Sequence, residues 1–316
     1  MTALVDAANR VISEVNSVIL GKDKEVREIM TAFAADGHIL LEDIPGVGKT
    51  TLANAFSKAM GLMSRRVQFT PDVMPSDLTG FSVYHRDKEK FVYQKGSVFC
   101  NLLLADEINR TSPKTQSALL EVMEEKHVSV EGVTRPVPSP FLVIATQNPT
   151  GAAGTQLLPE AQIDRFMINM SIGYPDFNSE LSLAMSVSAE KRTDRVNQVL
   201  DSETLLAIQN DIHKIYIKEE LYSYMLTLIT ATRNNPYLER GASPRATIAM
   251  VKMAKASAWM NNRKFVIPYD IISQLPYVLV HRISLSSGAK MSGVRKQDVI
   301  QNIIDSYEPP FMGNRR

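Results

Sequence analysis

The sequence has a single cysteine, no long apolar run and almost no net charge. Cys100 is the one cysteine in 316 residues, so no internal disulfide can form and nothing points to an oxidising compartment. It stands in the apolar run 97–105 and is expected to be a small buried hydrophobe. The strongest apolar runs, 102–105 and 141–145, are far too short to cross a bilayer, and the first residues lack the basic start and apolar block of a signal peptide. We therefore expect a cytoplasmic protein with no membrane insertion.

The charge balance excludes strong bulk attraction to polyanions. Lysine and arginine number 35, aspartate and glutamate 34, and the formal net charge is +1. A chain with this net charge has no overall electrostatic attraction to nucleic acid or anionic lipid, although its surface can still carry a local basic patch. The five histidines form no cluster with metal-ligand spacing. Hydrophobic residues at 44% and charged residues at 22% are typical of a globular protein of one large or two modest domains.

The pattern of apolar segments predicts two regions. Short apolar strands alternate with helical patterns over residues 37–175, which indicates an α/β domain with a largely parallel sheet. Hairpins are expected at 81–95 and 128–138. After about residue 178 almost every periodic segment is helical. We predict a core domain over residues 1–180, with a parallel sheet flanked by helices, and an all-helical domain over 181–316.

A glycine turn between a strand and a helix carries the strongest chemical signal. The turn follows the apolar run 38–42 and opens a helical pattern. In such a turn backbone N–H groups converge on an anion, and the helix N-terminus adds a favourable dipole. We predict that nucleotide phosphates contact this loop, whose residues are Pro45, Gly46, Val47, Gly48, Lys49, Thr50 and Thr51.

Two side chains of this loop have specific expected roles. Lys49 can reach the β- and γ-phosphates of a nucleotide, and the Thr50 hydroxyl can bind Mg²⁺. The general pattern GxxxxGK[ST] has glycine where this chain has Asp43. A chance glycine turn with an exposed lysine is the alternative interpretation.

Two consecutive acids end a second apolar strand. Asp106 and Glu107 follow the run 102–105 directly. Adjacent carboxylates at a buried strand end are unfavourable unless a cation or water is present there. We predict that Asp106 holds Mg²⁺, directly or through water, and that Glu107 activates the attacking water. Acids that merely begin a loop are the alternative.

Several strings together resemble the MoxR family of AAA+ ATPases. They are ILLEDIPGVGKT from residue 39, DEINR from 106, ATQNP from 145, LPEAQIDRF from 158 and SPRA from 243. The resemblance extends over about residues 16–307, and Asp43 itself is typical of the family. It implies a P-loop AAA+ core followed by a helical lid.

The resemblance implies further site residues. Asn148 is similar to the sensor-1 residue that positions the attacking water, and Arg165 to an arginine finger that reaches the ATP of a neighbouring subunit. Arg245 is similar to sensor 2, which points from the lid to the phosphates of the same chain. Ile19 and Gly21 lie in a segment that resembles the lining of the adenine pocket.

The resemblance also implies a role for the two hairpins. Hairpins at these positions resemble insertions that family members use around a central pore or substrate face. Phe91, Tyr93, His127 and Arg135 are the candidates for client contact. Ordinary hairpin packing and solvated polar tips explain the same residues.

The implied activity is ATP hydrolysis with Mg²⁺ in a homo-oligomeric ring, expected to be hexameric. Family members resemble chaperones that assemble or activate client complexes, with partners that carry von Willebrand A domains. A nucleic-acid motor is an alternative, which the near-neutral charge disfavours. A nucleotide-dependent scaffold with little turnover is another alternative. The presence of Glu107, the predicted water-activating acid, disfavours it. A small-molecule kinase is disfavoured by the implied finger and sensors.

Overall fold

The computed structural model describes residues 1–43, 46–148, 158–185 and 192–310. The strands are β1 (Ile39–Glu42), β2 (Ser64–Gln68), β3 (Gly80–His85), β4 (Lys90–Lys95), β5 (Leu102–Asp106), β6 (His127–Val130), β7 (Val133–Pro136), β8 (Leu142–Gln147), β9 (Ile168–Met170), β10 (Leu238–Arg240) and β11 (Ser284–Leu285). The helices are α1 (Thr2–Asn16), α2 (Asp23–Ala34), α3 (Lys49–Ala59), α4 (Pro75–Thr79), α5 (Pro113–Glu125), α6 (Glu160–Ile163), α7 (Phe177–Met185), α8 (Ser202–His213), α9 (Glu219–Ala231), α10 (Pro244–Met260), α11 (Pro268–Leu279), α12 (Ser287–Met291) and α13 (Lys296–Ser306).

Five parallel strands form the central sheet in the order β2-β5-β8-β1-β9. This confirms the predicted parallel sheet. Each side of the sheet packs against a separate apolar cluster, so its central strands are buried throughout. In the register, Leu41 lies opposite Thr146 and Ala105 opposite Ala145. The carboxyl ends of β1, β5 and β8 therefore meet at one edge, where α/β sheets bind ligands.

Both predicted hairpins are present. β3 pairs with β4 and β6 with β7, each antiparallel. The charged residues 86–88 form a 3₁₀ turn at the tip of the first hairpin. The hairpins contact each other through a hydrogen bond from Ser82 Oγ to Glu131 Oε2 at 2.5 Å.

Among the described residues after α7, regular structure is helical apart from one short antiparallel pair, β10 with β11, and an isolated bridge between Tyr216 and Phe265. Residues 186–191 of the predicted helical region lie outside the described residues. The predicted boundary at residue 180 falls inside α7 and stays a prediction. One apolar cluster includes α1, α2, one side of the sheet and the helices α8–α11 and α13. Within the described ranges, no helix combines the length and apolar character needed to cross a membrane.

Cys100 is fully buried in the apolar cluster on the other side of the sheet, as predicted. Burial raises the pKa of its thiol to about 12. Because the thiolate is the reactive form, we expect no reaction with an aromatic disulfide reagent in the native protein at pH 8. One thiol per chain should react once guanidinium unfolds the protein. Rapid modification of the native protein would contradict this prediction.

Candidate nucleotide site

The phosphate loop has the backbone shape that an anion site requires. Gly46 and Gly48 have φ angles of 91° and 88°, in the left-handed region that side chains disfavour. A Cβ at either glycine would meet nothing within 4 Å, so the space over the loop is open to a ligand. Helix α3 begins directly afterwards at Lys49 and aims its N-terminus at the loop. Pro45 lies outside the described residues.

Lys49 is buried beneath this loop. The residue is 7% exposed, and Nζ donates to the backbone oxygen of Asp43 at 2.9 Å. Burial lowers the pKa of Lys49, while the negative charges of Asp43, Asp106 and Glu107 act in the opposite direction. The predicted phosphate lysine and the two predicted acids of β5 thus belong to one electrostatic site.

Thr146 organises the two acids at the end of β5. Its hydroxyl donates to Asp106 Oδ1 at 2.6 Å and accepts from the backbone N–H of Glu107 at 2.9 Å. The other oxygen of Asp106 accepts from the half-exposed Arg66 at 2.8 Å. Both acids are therefore fixed by neighbouring strands of the sheet, β2 and β8.

Glu107 has an unusual backbone conformation and two partners. Its φ is 56°, a left-handed value that is uncommon outside glycine and frequent at functional sites. Asn148 Nδ2 donates to Oε1 at 3.0 Å, and Arg110 Nη1 donates to Oε2 at 2.7 Å. The buried amide oxygen of Asn148 has no hydrogen-bond partner within the described residues. The structure thus brings together the acid and the sensor-1 residue predicted from the sequence.

A cleft of about 360 Å³ opens beside the phosphate loop, and we call it the nucleotide cleft. Three chain segments line it: residues 18–20 with Lys22, residues 46–48 with Thr51, and residues 173–175 with Glu180 and Leu183. Ile19 lies in this lining, as predicted for a contact to adenine. Gly21 has a packing role next to the cleft, since a Cβ there would fall 2.4 Å from Ser179 Oγ. Sequence reasoning missed the wall at 173–183.

Arg165 and Arg245 lie together at a different place. Both contact Glu124: Arg165 Nη1 is 3.0 Å from Oε2, and Arg245 Nη2 is 2.7 Å from Oε1. They line a cavity of about 350 Å³, which we call the arginine cavity, together with Lys126, Lys252 and Arg282 among others. None of the phosphate-loop residues that the structure describes lines it. This geometry does not support the prediction that Arg245 points to the phosphates of its own chain, because the orientation of the lid places it beside Arg165.

The buried ion pair between Arg282 and Asp164 lies next to both Arg165 and Arg245. Arg282, 4% exposed, donates to Asp164 Oδ1 at 2.7 Å and to the backbone oxygen of Met167 at 3.0 Å. The second carboxylate oxygen of Asp164 accepts from Ser243 Oγ at 2.6 Å. Asp164 precedes Arg165 and Ser243 caps the helix that carries Arg245, so one contact network sets the positions of both.

Comparisons with known proteins agree with this architecture. Residues 38–168 match the ATPase family associated with various cellular activities (AAA), and residues 230–303 match the AAA lid domain. Chaperone MoxR1 of Mycobacterium tuberculosis is 37% identical, over 98% of this chain and 84% of that protein. The chain belongs to the MoxR family of AAA+ ATPases.

Other relatives are similar over nearly the full chain. Protein MoxR of Methylorubrum extorquens is 30% identical over 95% of this chain and 93% of its own length. The uncharacterized protein YeaC of Bacillus subtilis is 40% identical over 95% and 94%. A crystal structure from Cytophaga hutchinsonii, described as that of a candidate ATPase, superposes with a TM-score of 0.91 at 39% identity and covers 98% of this chain and 97% of its own.

The residues of this MoxR-family protein fit the Mg²⁺ that nucleotide sites of AAA+ proteins imply. Thr50 supplies a hydroxyl in the first turn of α3, and Asp106 a carboxylate at the end of β5. In nucleotide sites Mg²⁺ takes one or two protein oxygens and completes its shell with phosphate and water. No three metal-binding side chains (His, Cys, Asp or Glu) cluster within the described ranges.

The four hairpin residues predicted for client contact differ in exposure. Phe91 is 70% exposed and packs edge-on against Tyr84, with ring centroids 5.3 Å apart. Arg135 stacks over Tyr93, 3.8 Å from its ring centroid, and the Tyr93 hydroxyl donates to the backbone of Thr79. His127 bonds the backbone of the preceding helix end. Of the four, Phe91 is the residue most available to a partner.

Proposed function

We propose that this MoxR-family protein hydrolyses ATP with Mg²⁺ at sites shared between adjacent subunits of a ring. The observation that carries the proposal is the placement of Glu107. Its carboxylate is hydrogen-bonded to Asn148 at the sheet edge where Lys49 and Asp106 also lie. A nucleotide-binding protein without turnover has no need of this second, strained acid beside the phosphate site.

Each residue of this edge then has one task. The loop N–H groups and Lys49 hold the phosphates, and Glu107 accepts a proton from the attacking water. The amide oxygen of Asn148, which has no hydrogen-bond partner among the described residues, can accept the second hydrogen of that water and so orient it. When bound, Mg²⁺ neutralises charge on the β- and γ-phosphates, and Thr50 and Asp106 would hold it.

We infer that Arg165 and Arg245 both act on the nucleotide of the neighbouring subunit. They share Glu124 and line the arginine cavity rather than their own nucleotide cleft. Two guanidinium groups on one carboxylate leave an excess positive charge, which suits the triphosphate of an adjacent chain. A head-to-tail ring brings one such face against each nucleotide cleft.

Phosphate release in steady state tests the proposed hydrolysis and its metal requirement. Wild-type protein should turn over ATP with Mg²⁺ and lose nearly all activity in excess EDTA, because the phosphate charges are then unscreened. Thr50→Ala should raise the Mg²⁺ concentration needed for half-maximal rate, whereas Thr227→Ala, at an exposed position on α9, should not. Equal rates with and without chelator would contradict the assignment of Thr50 and Asp106.

The proposed biological role is chaperone-like action on client protein complexes. The name of the Mycobacterium tuberculosis relative supports it, as does the exposed Phe91 on the first hairpin. The hexameric ring, the von Willebrand A partner and the cytoplasmic location stay predictions.

A further inference from the structure

Asp43 occupies the position of the first glycine in the general phosphate-loop pattern, and the structure gives its side chain a definite environment. The residue follows β1 directly and is 4% exposed. A carboxylate buried to this degree is unfavourable unless hydrogen bonds satisfy it. Asp43 would therefore be a destabilising replacement for glycine unless its carboxylate had partners.

Three donors from one short segment satisfy this carboxylate. Ser171 Oγ donates to Oδ1 at 2.6 Å, and the backbone N–H of Gly173 donates to the same oxygen at 2.9 Å. The backbone N–H of Ile172 donates to Oδ2 at 2.7 Å. These residues follow β9, which pairs in parallel with β1, so the two strand ends are already adjacent.

The segment held in this way continues into a wall of the nucleotide cleft. Gly173, Tyr174 and Pro175 line the same cleft as the phosphate loop. Lys22 Nζ donates to the backbone oxygen of Tyr174 at 2.7 Å, which ties the same wall to the segment that contains Ile19. The backbone oxygen of Asp43 accepts a hydrogen bond from Lys49 Nζ.

We propose that Asp43 is a positioning residue that fixes the 173–175 wall relative to the phosphate loop. Its backbone oxygen binds the phosphate lysine Lys49 at one end of the cleft. Its carboxylate holds the 171–173 segment, which leads into the wall at the nucleoside end. Because the wall is already ordered, a nucleoside triphosphate that contacts both ends of the cleft does not lose affinity to the entropic cost of ordering it. This inference rests on the proposed binding of ATP in the nucleotide cleft.

The proposal predicts a split between two ligands, measured by titration calorimetry with Mg²⁺ present. Asp43→Gly restores the general loop pattern, yet it should weaken ATP binding about tenfold, because the wall loses three hydrogen bonds to a charged acceptor and must be ordered on binding. Inorganic tripolyphosphate should bind with nearly unchanged affinity, since any residue at position 43 keeps the backbone oxygen that Lys49 contacts.

Two milder variants keep the test valid if Asp43→Gly folds poorly. Asp43→Asn retains acceptor capacity on one oxygen only, and Ser171→Ala removes a single donor. Both should show smaller losses of ATP affinity with unchanged tripolyphosphate affinity. Ser223→Ala, at an exposed serine on α9 that does not line the nucleotide cleft, is the matched control and should bind both ligands as wild type does.

The possible results separate this inference from the proposed function. Equal ATP affinity in wild type and Asp43→Gly, or equal losses for ATP and tripolyphosphate, would overturn the positioning role of Asp43 while ATP binding stands. Failure of the wild-type protein to bind ATP would overturn the proposed function itself.

Discussion

Glu107→Gln is expected to reduce ATP turnover by about 10²–10⁴-fold, the range typical for loss of a general base. Glutamine keeps the size and the hydrogen bond from Asn148, but it cannot take a proton from water. In the proposed site the phosphates contact Lys49 and the loop, not Glu107, so ATP affinity should stay within about threefold of wild type, a difference well under 1 kcal/mol. Phosphate release and equilibrium binding of ATP, measured on the same preparation, give both numbers.

A matched control separates catalysis from general charge loss. Glu203 is exposed in the first turn of α8, and Glu203→Gln removes the same charge far from the cleft along the chain. It should hydrolyse ATP at the wild-type rate. Equal turnover by Glu107→Gln and wild type would eliminate the hydrolase assignment and favour a nucleotide-dependent scaffold.

The second large effect concerns the arginine pair. Arg165→Ala should lower turnover by about 10³-fold, as expected when a trans-acting arginine is lost. Mixing it in equal amounts with Glu107→Gln should restore activity, because the two defects lie on opposite sides of one shared site. In a randomly mixed head-to-tail ring, about a quarter of the sites combine an intact Glu107 with an intact neighbouring Arg165. The mixture should therefore approach that fraction of the wild-type rate.

The same mixing experiment decides the direction in which Arg245 acts. If Arg245 serves the adjacent nucleotide, as its shared contact with Glu124 suggests, Arg245→Ala mixed with Glu107→Gln should also recover. Action within its own chain gives no recovery, since every subunit with Glu107 then lacks its own Arg245. Sedimentation of each mixture with ATP controls for subunit exchange.

Much of the fold follows from the sequence because its buried strands are short and continuously apolar. The residues of β5 and β8 are all buried, and both strands are visible as apolar runs. Helix starts are less visible: α10 begins at Pro244 because Ser243 caps it, while the apolar periodicity appears only from about residue 247. Short elements such as α4 have too few residues to show a period and were not predicted.

Some residues of the candidate site can also be predicted from local sequence, and others only from the tertiary structure. Lys49, Asp106 and Glu107 stand in contiguous strings at strand ends, so local patterns suffice to place them together. The direction of Arg245 depends on how the lid sits on the core, which no local pattern contains. Thr146 is within a recognisable string, but only the strand register puts its hydroxyl between the two acids. In the sequence, Glu124 is indistinguishable from other acidic residues on helix surfaces. Only the structure shows that Arg165 and Arg245 both contact it.

The single apolar cluster that joins α1 and α2 to the lid helices determines where the chain can be divided. Gln209 in α8 donates to the backbone oxygen of Phe33 at 2.9 Å, and Arg27 in α2 donates to that of Met260 at 3.2 Å. Fragments cut near residue 180 would expose large apolar faces on both pieces and should aggregate. Chimaeras with relatives should instead keep α1, α2 and α8–α13 from one parent, because these helices share one apolar core with α3 and one side of the sheet.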